Sequence, residues 1–106
     1  GLTRQLMPKN KLKEAILRYR TNDSVKRENL IENLIIRGYK KVSITSTSGT
    51  FSVRGSLIDV FPINENQPVR INFFDDEIET IKKIDVETQM STEKINEIEF
   101  FLLYEI

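Results

Sequence analysis

The chain has 106 residues, of which 39% are apolar and 30% charged, and its formal net charge is zero. This length and composition favour one globular domain with a modest core, and they exclude a disordered chain and a membrane span of ~20 apolar residues. Because cysteine and histidine are both missing, disulfides, thiolate zinc sites and histidine-based catalysis are excluded as well.

The first part of the chain predicts one strand and one helix. Residues 15–20 are apolar and then alternate, which is typical of a strand. Turn and cap formers at residues 21–24 precede a helix predicted from about Val25 or Lys26 to Arg37. Gly38 follows at the position of a left-handed cap residue. The apolar stripe of this helix should pack on a sheet and consists of Leu30, Ile31, Leu34 and Ile35.

The rest of the chain has the two-residue period of strands. Gly55 allows a bulge or a close backbone approach, and Asp75-Asp76 is predicted as a tight hairpin turn. Residues 85–94 are predicted to be a polar turn. The predicted strands are residues 41–45, 50–54, 56–61, 69–74, 77–84 and 95–106. The predicted fold is therefore α+β, an antiparallel sheet of about five or six strands with one main helix packed on it.

The charged residues are unevenly distributed along the chain. Residues 1–41 contain eleven Lys/Arg and four Asp/Glu, a net +7, whereas residues 75–106 contain three and ten, a net −7. Two interpretations stay open. Either the two ends compensate each other in the fold, or the basic end forms a patch for nucleic acid. The first is favoured, because binding to phosphate backbones usually needs a concentrated positive face.

No catalytic or metal-binding motif is apparent. The sequence lacks the phosphate-binding pattern G-x-x-x-x-G-K-[ST] and has no spacing that suggests an activated nucleophile. Four acidic residues could be considered as a magnesium site: Asp75, Asp76, Glu77 and Glu79. Successive strand residues alternate between faces, so these four are more consistent with a solvated hairpin tip. The sequence therefore predicts a domain that is not an enzyme and holds no cofactor or metal.

One face of the predicted sheet has an unusual composition. In residues 69–74, alternation directs Val69, Ile71 and Phe73 to the core and leaves Arg70, Asn72 and Phe74 outside. By the same rule, Arg54 faces outward from residues 50–54, together with Ser52. Two arginines and a phenylalanine on one outer face are typical of a protein-binding surface. The alternative is that Phe74 bends inward at the turn and that the arginines are merely solvated.

Six short segments form a collinear series between about residues 36 and 91: Gly38-Tyr39, Gly49–Gly55, Ile58–Pro62, Pro68–Ile71, Phe73–Glu79 and Glu87–Gln89. The series resembles the UvrB-homology region of the bacterial transcription-repair coupling factors, the Mfd family. The excision-repair helicase UvrB carries a similar module. Gly38-Tyr39 and Thr88-Gln89 with Ser91 favour the coupling factors. The sequence departs from the family pattern at Ser56, Met90 and Leu102-Leu103.

The resemblance implies a non-catalytic domain that docks UvrA, the damage-recognition ATPase of nucleotide excision repair, in the cytoplasm. The residues implied to bind UvrA are Arg54 of the V-R-G motif, Arg70 of the P-x-R motif and Phe74, the second phenylalanine of F-F. These are outward-facing residues by alternation. Contacts to RNA polymerase and DNA are expected only from missing parts of a longer protein, so the chain is expected to be a piece or a reduced form of one.

The resemblance also implies domain limits and leaves alternatives open. Residues 1–22 are expected to be the end of a preceding UvrB-like domain or a lead-in strand, and residues 23–106 the UvrA-binding domain. Other assignments are the corresponding module of UvrB, a structural spacer and a nucleic-acid-binding fragment. A nuclease fragment that uses the acidic hairpin is a further possibility.

Overall fold

The computed structural model describes residues 16–101, which form one helix and eight strands. The helix, α1, spans Arg27–Ile36. The strands, in chain order, are β1 (Leu17–Arg20), β2 (Lys40–Lys41), β3 (Thr50–Arg54), β4 (Leu57–Val60), β5 (Val69–Phe74), β6 (Glu77–Ile84), β7 (Ser91–Ile95) and β8 (Glu97–Phe100). Within this range, no helix has the length and apolar character required to cross a membrane.

The strands form two sheets. Six of them make one sheet in the order β2-β3-β4-β5-β6-β7, and β1 pairs with β8 in a separate antiparallel sheet. All neighbours in the larger sheet are antiparallel except β2 and β3, which are parallel. The predicted α+β class and the mostly antiparallel sheet are confirmed. The parallel edge strand and the separate two-stranded sheet were not predicted.

Helix α1 ends at Ile36 and is capped at the predicted glycine. Gly38 has φ 95°, a left-handed conformation that costs glycine little. The N–H groups of Gly38 and Tyr39 donate to the carbonyls of Ile35 and Leu34, both at 3.0 Å, which is the hydrogen-bond pattern of a Schellman cap. Leu30 and Leu34 are fully buried, whereas Ile35 is 55% exposed. The buried stripe of α1 is therefore narrower than predicted.

The core combines the inner face of the larger sheet with residues from α1 and from the β1–β8 sheet. Tyr19 of β1 and Phe100 of β8 contact each other with ring centroids 6.0 Å apart, and Tyr39 meets Phe100 edge-on at 6.2 Å. Phe100 thus connects the small sheet to the main core. The buried apolar residues of the larger sheet in this cluster are Phe51, Ile58, Val60, Val69, Ile71, Phe73, Ile78 and Ile81.

The predicted strand at residues 41–45 is wrong for most of its length. Strand β2 contains only Lys40–Lys41, and Ile44 is 64% exposed. The following loop is held by side-chain hydrogen bonds: the buried Thr45 hydroxyl contacts the hydroxyl of Thr50 and donates to its carbonyl at 3.3 Å. Threonine hydroxyls that bond to nearby backbone favour such loops over strands.

The polar segment at residues 85–94 is only partly a turn. Its second half belongs to β7, an edge strand whose first four residues are all exposed. Such a strand pairs through its backbone and needs no apolar alternation, which is why the pattern failed there. The predicted strand at residues 95–106 is divided: Ile95 ends β7, and Glu97–Phe100 forms β8. Residues 102–106 lie outside the described residues.

Strands β1 and β8 bring basic and acidic residues together. Arg18 lies opposite Glu99, and Arg20 lies opposite Glu97. Their ion pairs measure 2.6 Å and 3.0 Å, and Arg18 also lies 3.4 Å from Glu97. These contacts support the interpretation that the two ends of the chain compensate each other. Residues 1–15 lie outside the described residues, and the predicted domain boundary after residue 22 stays a prediction.

Candidate functional site

The end of strand β5 presents an exposed aromatic ring on the outer face of the larger sheet. Phe74 is 65% exposed, while the preceding Phe73 is 5% exposed and belongs to the core. The hairpin turn follows directly, with Asp75 at φ 55°, a conformation that aspartate tolerates better than most residues. A bulge in β6 leaves Glu79 between the pairs Asn72–Thr80 and Phe73–Ile78. The alternative that Phe74 bends inward is therefore excluded.

Arg54 ends strand β3 on the same outer face. Its side chain is 61% exposed, and its Nη2 atom lies 3.9 Å from Oδ2 of Asp59. The turn that follows requires a left-handed residue at Gly55, which has φ 58°. A Cβ atom built on Gly55 would meet nothing within 4 Å. Gly55 thus serves a two-residue turn, rather than the predicted bulge or close backbone approach.

Arg70, in the middle of β5, is held by a buried carboxylate. Its Nε donates to Oδ1 of Asp59 at 2.8 Å, and its Nη2 donates to Oδ2 at 3.0 Å. The side chain of Arg70 is 16% exposed and that of Asp59 is 3% exposed. These hydrogen bonds raise the pKa of the Arg70 guanidinium further above its usual value. Arg70 is on the predicted face, but it is less solvated than alternation alone suggested.

The register of three adjacent strands brings these residues together. Asp59 of β4 lies directly opposite Arg70 of β5, and Ser52 of β3 lies opposite Asp59. In the next row, Arg54 and Asn72 flank Leu57 on either side. Phe74 lies four residues beyond Arg70, or ~13 Å along an extended strand. Arg54 and Arg70 thus meet at Asp59, and Phe74 lies on the same face toward the hairpin tip.

Asp59 is the site residue that the sequence interpretation missed. It is flanked in β4 by Ile58 and Val60, both fully buried. A carboxylate between two such residues indicates the outer side of a central strand, where a buried charge needs a partner. That signal was available in the sequence. The identity of the partner was not, because it depends on the register of β4 against β5.

The surface beyond Phe74 is acidic. A depression beside the ring is lined by Asn22, Phe74, Glu77 and Glu79. Asn72 connects the β3–β4 turn to strand β6: its side-chain oxygen accepts from Ser56 at 3.1 Å, and its amide donates to Glu79 at 3.3 Å. Within residues 16–101, no group of three or more acidic residues is arranged to hold a metal ion. The arrangement offers arginine donors and an apolar ring for a binding partner.

The comparisons with known proteins agree on one family. A family model described as the UvrB interaction domain matches residues 17–102. The chain is 37% identical over 98 residues to a transcription-repair-coupling factor of Staphylococcus haemolyticus, covering 92% of this chain. It is 36% identical over 99 residues to that of Staphylococcus aureus strain MRSA252, covering 93%. It is 40% identical over 80 residues to that of Staphylococcus aureus strain bovine RF122, covering 76% of this chain and 7% of that protein. The chain spans 8% of the length of the first two relatives.

Proposed function

Since this chain belongs to the UvrB interaction domain family, we propose that it is a non-catalytic docking domain that binds UvrA in nucleotide excision repair. The observation that carries the proposal is the outer face of the larger sheet, where Arg54, Arg70 and the exposed ring of Phe74 lie together. Aromatic and arginine side chains supply most of the energy in many protein interfaces. A phenylalanine that is 65% exposed stabilises the folded domain little by itself.

The three residues have different roles in the proposed complex. Phe74 enters an apolar pocket of UvrA, which removes its ring from water. Arg54 and Arg70 contact carboxylates or carbonyl oxygens beside that pocket. Arg54 brings an exposed side chain, while Arg70 is already held by two hydrogen bonds to Asp59. The complex therefore combines one apolar anchor with two charged contacts, an arrangement that favours both affinity and orientation.

The likeness to transcription-repair-coupling factors supports a more specific role. In this role the domain recruits UvrA to stalled transcription. RNA polymerase and DNA would then be contacted by other parts of a longer protein, and this domain would contribute the repair contact alone. A homologous position in UvrB is the second assignment, and it involves the same partner and the same face.

Calorimetric titration of the domain with UvrA tests the proposal. The triple variant Arg54→Ala, Arg70→Ala, Phe74→Ala should lose at least about 100-fold in affinity. A matched control is the triple variant Lys40→Ala, Lys41→Ala, Ile44→Ala. It also removes two positive charges and one large apolar side chain, here 64% exposed. The control should bind UvrA within about threefold of the parent.

The other assignments give different results in the same measurements. A structural spacer would not bind UvrA at all, and a triple variant that binds as well as the parent would falsify the assignment of these residues. A nucleic-acid-binding fragment would bind DNA with an affinity that falls steeply as salt is raised. A nuclease would cleave DNA through the acidic hairpin, with activity lost in Asp75→Ala and Asp76→Ala.

A further inference from the structure

The buried pair between Asp59 and Arg70 lies in the middle of the proposed docking surface. Its carboxylate is 3% exposed, although it lies on the outer face of the sheet. It accepts two hydrogen bonds from Arg70, and Arg54 approaches it at 3.9 Å. Replacing a buried ion pair by apolar residues is often neutral or stabilising. Stability alone is therefore a weak reason for this pair.

The geometry of the pair leaves one edge of Arg70 available. A guanidinium has five N–H donors, and Asp59 takes one from Nε and one from Nη2. The remaining three are one on Nη2 and two on Nη1, and one from each nitrogen lies on the edge that points away from the Arg70 stem. Within residues 16–101, no other group accepts a hydrogen bond from Arg70. Two N–H groups on such an edge match the two oxygens of a carboxylate.

We infer that Asp59 is a positioning residue, which fixes Arg70 so that its free edge receives a carboxylate of the partner protein. This inference rests on the proposed docking function, and it attributes part of the affinity of the domain for UvrA to the fixed position of Arg70. An arginine that is held in place before binding loses little side-chain freedom when the complex forms. Asp59 makes no contact with the partner in this arrangement and acts mainly through Arg70, because its contact with the exposed Arg54 is long, at 3.9 Å.

A double-mutant cycle tests the inference by titration with UvrA. Asp59→Asn keeps the size of the side chain but replaces one acceptor oxygen by an amide that repels the arginine donors. We expect Asp59→Asn to weaken binding roughly tenfold. In the Arg70→Ala background, the same change should have less than about a twofold effect, because the residue that it positions is gone.

Two further variants distinguish the positioning of Arg70 from a general effect of losing an ion pair or the fold. Glu99→Gln removes the same charge from another directly opposed Arg–carboxylate pair, Arg18–Glu99 on the β1–β8 sheet. It should leave UvrA binding within about twofold of the parent. If Asp59→Asn fails to fold, Arg70→Lys tests the same geometry, since lysine keeps the charge but has no planar edge. It should weaken binding roughly tenfold, and a parent-like affinity for it would overturn the inference.

An NMR measurement in the free domain separates this inference from the docking function. The Arg70 Nε–H signal should be protected from exchange in the parent and lost in Asp59→Asn. Parent-like affinity of a folded Asp59→Asn variant, or an equal loss in both backgrounds, overturns the inference and leaves UvrA docking intact. Absence of UvrA binding by the parent overturns both, even if the Nε–H signal is protected.

Discussion

The two faces of the larger sheet are built from alternate residues of the same strands, yet they differ in what they contribute. On the inner face, Ile58, Ile71 and Ile81 are fully buried against α1 and the small sheet. On the outer face, Phe74 and Arg54 are mostly exposed. The inner face can account for the stability of the domain. The exposed residues of the outer face are therefore not required for stability and are available for binding.

The contrast is not complete, because the outer face has a small buried centre of its own. Ser52 and Asp59 are each 3% exposed there, and Arg70 covers the carboxylate with two hydrogen bonds. The exposed ion pairs of β1 and β8, such as Arg20–Glu97, lack such burial. The charge pairs among residues 16–101 therefore fall into two kinds. The exposed ones compensate charge, and the buried one fixes a side chain.

Replacing Phe73 on the inner face by alanine should have the largest effect, a loss of stability. Phe73 is 5% exposed and packs in the core. Its loss should lower the free energy of unfolding by about 3 kcal/mol through lost burial and a residual cavity. Urea denaturation measures this change, with Phe74→Ala as the adjacent control on the other face. A loss below about 1 kcal/mol for Phe73→Ala would contradict the assignment of the inner face as the source of stability.

Replacing Phe74 by alanine should lower the affinity for UvrA and leave the stability of the domain almost unchanged. The free energy of unfolding should change by less than about 0.5 kcal/mol, because the ring is 65% exposed. UvrA affinity should fall by about 2 kcal/mol, or roughly 30-fold, if the ring is the apolar anchor. Met90→Ala is the matched control, since Met90 is 66% exposed and lies in the β6–β7 connection. Equal affinities for the two variants would remove Phe74 from the docking surface.

Replacing Arg54 by alanine should give a smaller and salt-dependent loss of affinity. Its side chain is exposed and 3.9 Å from Asp59, so the folded domain depends on it little. We expect a loss of about 1 kcal/mol in UvrA affinity, which should shrink as salt is raised. Arg20→Ala is the control, because Arg20 has the same 61% exposure on strand β1. A loss of the same size in both variants would indicate long-range attraction rather than a contact at Arg54.

The division into two faces could be predicted where one strand carries the pattern by itself. In β5, alternation alone assigns Ile71 and Phe73 to the core and Phe74 to the outside, and burial agrees. The helix was predictable because its signals also lie within one segment of the sequence, and its C-terminal cap at Gly38 is formed by local hydrogen bonds. Features that depend on a neighbouring strand could not be read in this way. The pairing of Asp59 with Arg70 depends on the register of β4 against β5, and strand β2 is defined by its parallel pairing with β3.

The strand β7 shows another limit of the pattern. Its residues from Ser91 to Lys94 are exposed, so no apolar alternation indicates a strand. The backbone of β6 is nevertheless paired with it. The candidate site was more predictable than this edge, because Arg54, Arg70 and Phe74 lie on strands whose opposite faces are buried. What could not be predicted was how far each side chain is solvated, which depends on Asp59.

Alkaline pH should lower the free energy of unfolding through the inner face alone. This is the smallest of the expected effects, because it is absent at neutral pH. Burial raises the pKa of Tyr19 and of Tyr39, and both belong to the core. As pH rises past the ordinary tyrosine pKa of about 10, the unfolded chain loses these protons before the folded domain does. The free energy of unfolding should therefore be unaffected by these groups below about pH 10, and should fall between that value and the raised pKa. Urea denaturation from pH 8 to pH 11 measures the fall, which should be smaller in Tyr19→Phe, Tyr39→Phe and unchanged in Phe74→Ala. An identical fall in the tyrosine variant would mean that other groups control the alkaline stability of the core.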